Sequence, residues 1–324
     1  MQSFWSTIRY MGRALLLALG LAWGQAQQAV YDLEGQIVPE GRAAVSLYGA
    51  ITPFSSSTLA DSEGRFQFRK LLAGPYTVAV FLPGLGEARQ TIEVGPSLAD
   101  TKGRVAVTID IRDSKLISPE ALVRRSTIST RELAIPERAH REYREAQKKL
   151  SRRDVAGAVA HLERAVKIAP QFASAWNNLG TIAYQSRDYA RAEQHFRQAL
   201  EQDPEAFEPL VNLGGALLSL NKLEEALKYN LYAVLSRPND ALSNSQLGMN
   251  YFYLGDLNRG QKYLAIAKTL DAAHFSHPQL LLAEIHLRRN EPEAAAGELE
   301  DFLQRHPDWP EAAKIRESMA KLRR

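Results

Sequence analysis

A period of 34 residues runs through the C-terminal part of the chain, and it constrains the fold more than any other feature of the sequence. The unit centred on Trp176 carries Leu179, Gly180, Tyr184, Ala192, Phe196, Ala199 and Pro204. Stepping forward by 34 gives Leu213, Gly214, Ala226, Ala233 and Pro238, and a second step gives Leu247, Gly248, Gly260 and Ala267. Stepping back gives Ala146, Ala158, Leu162, Ala165 and Pro170, and a one-residue insertion brings Leu282, Ala283, Ala295, Leu299, Phe302 and Pro307 into register. A unit this short cannot bury its own apolar side, so such copies must stack and supply one another with an interior.

The spacing within a unit has a physical cause. Two helices of about a dozen residues that cross closely need small residues where their backbones meet, and glycine in a helix costs ~1 kcal/mol. The recurrence of Gly180, Gly214 and Gly248 therefore points to tertiary contact. Pro170, Pro204, Pro238 and Pro307 each end a second helix, because proline has no N–H to donate and clashes with the preceding turn. These residues resemble the tetratricopeptide repeat pattern, with Tyr184 one position late, Glu142 and Glu145 where Trp and Leu are usual, and Ala272 in place of a closing proline. The resemblance implies an all-α superhelix, or solenoid, of five repeats at 139–172, 173–206, 207–240, 241–274 and 276–308, closed by a capping helix over 309–324.

Upstream the texture changes. Ala43–Tyr48, Arg65–Phe68, Tyr76–Phe81, Thr91–Val94 and Val105–Ile111 read as short alternating strands, with Phe66, Phe68, Tyr76, Val78 and Val80 facing inward. Asp61-Ser62-Glu63-Gly64-Arg65-Phe66 and Leu71 to Tyr76 read as two hairpin turns, and they resemble the signature of carboxypeptidase-regulatory-like domains. That resemblance implies a small all-β, prealbumin-like sandwich over 27–112, of the group named carbohydrate-binding-like. A sugar platform is built from exposed aromatics, and here Tyr31, Tyr48 and Phe54 are expected to pack in the core or at an edge. A polar linker over 113–138, amphipathic around Glu120 to Arg125, separates the two textures.

Arg9 and Arg13, the apolar run Ala14–Trp23 and the small residues near Ala26 read as a secretory signal over 1–26. The run is about half the ~20 residues a membrane span needs, so the mature chain is expected to be periplasmic or secreted with no membrane span. The chain has no cysteine, which leaves no disulfide, thiolate metal site or lipidated cysteine. A net charge of +3 is too small to argue for a nucleic-acid partner, and none is expected.

Chemistry is sparse. No P-loop, dinucleotide fingerprint or nucleophile elbow occurs, Gly84-Leu85-Gly86 reads as a turn, and His274 with His277 reads as incidental polar surface without further metal ligands. The expectation is a non-enzymatic protein with neither metal nor cofactor. Arg141, Arg144, Lys148 and Arg152 form a basic stripe at helical spacing, read as a solvated face interleaved with Glu142 and Glu145. The resemblance to tetratricopeptide repeats further implies an inner face lined by Tyr143, Asn177, Asn178, Thr181, Tyr184, Asn212, Gln246, Met249, Phe252 and Tyr253. On that basis the chain is expected to hold a protein or peptide partner there, the alternative being a polysaccharide held by the sandwich.

Overall fold

The structure, a computed structural model, describes residues 29–82, 86–112 and 134–323. The leader read over 1–26, the turn residues Gly84 and Leu85, and most of the linker, including Glu120 to Arg125, lie outside them.

The N-terminal part is a sandwich of β1 (Val30–Val38), β2 (Ala44–Gly49), β3 (Ser55–Leu59), β4 (Arg65–Leu72), β5 (Gly74–Leu82), β6 (Gly86–Val94) and β7 (Arg104–Asp110). One sheet has the order β4-β1-β7 and the other β3-β2-β5-β6, with β1 and β7 parallel. Phe66, Phe68, Tyr76, Val78 and Val80 all face the shared core, as their alternation predicts. Phe54 meets Tyr76 edge to face at 5.7 Å and Tyr31 packs against the same core, while Tyr48 is exposed.

Two strands escape the sequence pattern for identifiable reasons. β1 carries Gly35 at its middle, where a Cβ would lie 2.0 Å from the Phe66 ring, so the glycine seats an aromatic ring from the neighbouring strand. β3 has no large apolar residue before Leu59, so hydrophobic alternation cannot mark it. The two turns expected to close hairpins instead carry the chain between sheets, because β4 takes β1 as its partner, whereas β3 and β5 belong to the sheet of β2. Asp61 stabilises the first turn by accepting the N–H groups of Glu63 and Arg65, both at 2.9 Å, with Gly64 at φ 75°. Asp100 repeats the device with Lys102, Arg104 and Gly103 at φ 76°.

The C-terminal part is helical. Helices α1 (Glu137–Ser151), α2 (Val155–Ile168), α3 (Ala173–Gln185), α4 (Tyr189–Gln202), α5 (Phe207–Ser219), α6 (Leu223–Ser236), α7 (Ala241–Tyr253), α8 (Leu257–Leu270), α9 (Pro278–Arg288) and α10 (Pro292–Arg305) pair in sequence. Helix α11 (Ala312–Leu322) packs Ile315 and Met319 beside Phe302 and Leu303. Asp154, Asp188 and Asp256 start the second helices α2, α4 and α8 by accepting the N–H of Gly157, Arg191 and Arg259. The architecture is a β-sandwich followed by a stack of helix pairs.

Candidate functional site

The ten residues expected to line an inner face lie on the first helices of successive pairs, α1, α3, α5 and α7. Asn178 donates to the Tyr143 hydroxyl at 3.1 Å, and Asn212 donates to the Asn177 side-chain oxygen at 3.0 Å. Thr181 donates to the Asn177 carbonyl at 3.0 Å, and the Tyr184 and Ser219 hydroxyls meet at 3.3 Å. These bonds, apart from that of Thr181, tie one pair to the next, so six of the ten expected lining residues form a linked polar row. The other four divide. Gln246 is buried against Gly215, and Phe252 is 6% exposed, packed with Leu264, Leu282 and Ile285 beneath the Arg288 guanidinium. Both therefore serve the interior and offer no open face. Met249 is half-buried beside Phe252, and Tyr253 remains exposed.

Sequence reasoning missed the docking of the sandwich across this stack. Arg153, in the turn after α1, donates to the Lys70 carbonyl at 2.8 Å, and Gln185, at the end of α3, donates to the Gly49 carbonyl at 2.9 Å. Farther along, strand β6 presents alternate residues to successive helix-pair loops. The Thr91 N–H is accepted by the Asp271 carboxylate at 2.9 Å, and Glu93 binds His306 at 2.8 Å. Asp308 accepts the Ser97 N–H at 3.1 Å, an approach that requires Gly95, where a Cβ would lie 2.3 Å from the same carboxylate oxygen. Four of these bonds go from a repeat side chain to sandwich main chain. The interface also holds charge, since Arg89 lies 3.7 Å from Glu208 and Arg237 lies over the Phe207 ring at 3.7 Å. Burial, together with the Arg89 guanidinium, pulls the Arg237 pKa down to about 10.

Residues 143–207 and 179–241 match the sequence model of the tetratricopeptide repeat family. Residues 143–241 carry tetratricopeptide repeats. The human Cell division cycle protein 16 homolog is 29% identical over 113 residues, which is 32% of this chain and 18% of that protein. The chain thus spans less than a fifth of the length of that curated relative. Among solved structures it resembles YrrB, reported as a TPR protein with an unusual peptide-binding site, at 22% identity and a TM-score of 0.46, covering 59% of this chain and 100% of that one. It also resembles MamA from Desulfovibrio magneticus RS-1, at 22% identity and a TM-score of 0.47, covering 55% and 99%.

At the far end of the stack of helix pairs the histidines depart from expectation. His274 and His277 are not polar surface, being 4% and 6% exposed. His277 packs its ring against Phe302, His306 and Trp309, and His274 bonds Ser276 at 2.6 Å. No group of three or more His, Cys, Asp or Glu among the described residues could hold a metal ion. Burial holds the pKa of both histidines below 6.5, and that of His277 well below, with His306 and His274 adding to the effect. The unfolded chain therefore takes up protons near pH 6.5 that the folded chain refuses, so stability is complete above that pH and falls as pH drops through it. Urea midpoints are expected to decline from pH 7.5 to 5.5, and less steeply in His277→Asn, which suits the left-handed backbone there at φ 51°. A flat wild-type profile would contradict the assignment.

The basic stripe of the first repeat is partly neutralised within its own helix. Arg144 pairs with Glu137 at 2.5 Å and Lys148 with Glu145 at 2.7 Å, while Arg141 and Arg152 are both exposed. No helix of the described residues is long and apolar enough to cross a membrane.

Proposed function

We propose that the chain is a non-catalytic, exported scaffold that holds a protein or peptide partner on the inner face of its tetratricopeptide repeats. The observation that carries this reading is the linked row Tyr143–Asn178, Asn177–Asn212 and Tyr184–Ser219, continued by exposed Tyr253. The half-buried amides of Asn177, Asn178 and Asn212, fixed by bonds to adjacent repeats, keep spare donors and acceptors for the main chain of a bound segment, and Tyr253 offers apolar area beside them. The sandwich, which resembles carboxypeptidase-regulatory-like domains, acts as a fixed spacer across the repeats. Residues 1–26 serve as a secretory signal, so the mature N-terminus lies near Gln27.

Affinity capture with the full mature chain as bait, from extracts of the native host, tests the groove. Changing Asn178 and Asn212 to Ala and Tyr253 to Glu is expected to reduce recovery of the partner about tenfold, a loss of about 1.4 kcal/mol in binding. Phe252 is avoided because its ring is interior. Undiminished recovery by a folded triple variant would remove the groove reading, and a mature N-terminus still at Met1 would remove the export reading.

A further inference from the structure

On its open side, where edge strand β3 of one sheet faces edge strand β4 of the other, the sandwich holds a cleft of about 370 Å³. Ser56 and Thr58 pair with the core residues Leu47 and Val45 and share their side of the sheet, so hydroxyls stand where the sandwich interior would take apolar groups. Gln67, Arg69 and Lys70 form the opposite wall, and Arg153 of the first tetratricopeptide repeat closes the end. The site is thus complete only when sandwich and repeats are docked.

Its charge is one-sided. Three cations and no carboxylate line the cleft, and among the described residues Arg69, Lys70 and Arg153 form no ion pair. In a chain with 40 basic and 37 acidic residues, such a segregation is a local excess. Lys70 is also held in an unusual way. It sits at φ 58° beside the register shift between Tyr31 and Leu33, its N–H donating to Asp32 at 2.9 Å and its carbonyl accepting from Arg153 at 2.8 Å. Lysine disfavours that backbone, and a bulge re-aims the side chain it carries.

We propose that this cleft binds the oxyanion of a small ligand, a phosphate, sulfate or carboxylate, between Arg69, Lys70 and Arg153. Ser56, Thr58 and Gln67 supply hydrogen bonds to the rest of the ligand. At ~30 Å³ per water the volume corresponds to about a dozen waters, enough for a body of monosaccharide size.

Isothermal titration of the full chain at low ionic strength, with inorganic phosphate, glucose 6-phosphate, glucuronate and glucose as separate probes, tests this. Saturable binding of the anions and none of glucose is expected, with phosphate against its sugar ester telling a free anion from a sugar-borne one. Lys70→Asn and Arg69→Gln are each expected to weaken the anion about tenfold. Because Asn tolerates the left-handed region, Lys70→Asn keeps or raises the melting temperature while losing affinity, a combination that a purely structural lysine would not give. Absence of saturable anion binding, equal binding of glucose, or undiminished affinity in both variants overturns the proposal.

Discussion

Phe302→Ala is expected to destabilise the protein by about 3–5 kcal/mol, the range for removing a fully buried aromatic ring. The ring is 0% exposed and touches His277 at 5.3 Å, His306 at 4.8 Å and Trp309 at 5.2 Å between ring centres. It stands at the end of a stack, where each unit is supported by its immediate neighbours only, so little remains to close over the void. The loss reaches the sandwich too, because His306 rests on this ring and carries the contact to Glu93. Urea unfolding followed by circular dichroism gives the global change, and Trp309 fluorescence reports the local one. A loss below about 1 kcal/mol would show that the terminal helices do not depend on this cluster.

Gly248→Leu is expected to cost about 3 kcal/mol, the upper part of the usual range for overpacking. A Cβ at Gly248 would lie 2.7 Å from Leu264 Cγ, 2.8 Å from the Leu264 backbone nitrogen and 3.1 Å from the Gly260 carbonyl oxygen. Two of these are main-chain atoms, which cannot swing aside. Gly214 and Gly180 face side-chain atoms instead, Asn230 Oδ1 at 2.0 Å and the Phe196 ring at 2.5 Å, so Gly214→Leu costs less, about 1–3 kcal/mol. Gly297, in the interior of α10, would have nothing within 4 Å of an added Cβ, and Gly297→Ala is expected to stabilise by ~0.5–1 kcal/mol. Opposite signs for Gly248 and Gly297 in thermal melts would tie the effect to helix crossing; a neutral Gly248→Leu would refute that crossing.

These glycines were legible in advance because repetition isolates what packing requires. When Gly180, Gly214 and Gly248 recur at one position of a helix, propensity alone cannot account for them. The alternating residues of β4 and β5 were legible for a similar reason. β3 was not, since its core-facing positions are Ser56 and Thr58, nor was β1, whose Gly35 reads as a break until Phe66 is seen beside it. The docking of the sandwich was opaque because periodicity reports neighbours in the stack and says nothing of what crosses it. One signal was present: Ala272 stands where the other units close with proline, and the adjacent Asp271 is the residue that takes the Thr91 N–H. Four of the ten inner-face positions carried over from the family pattern do not join the polar row, and two of them, Gln246 and Phe252, are absorbed by the interior. Spacing can fix the side of the helix without fixing how closely the next pair covers it.

Stacked helix pairs joined only to their neighbours behave mechanically as a spring. Here Arg153 fastens one sheet of the sandwich near one end of the coil, and Gln185, Asp271 and Asp308 fasten the other sheet and the turn after it along the rest. The coil is therefore braced like an arch with a tie-beam, and its pitch and opening are set before any partner arrives. A load applied along its axis is borne first by a few side-chain bonds to main-chain atoms, and elastic extension of the helices begins only after that tie has parted.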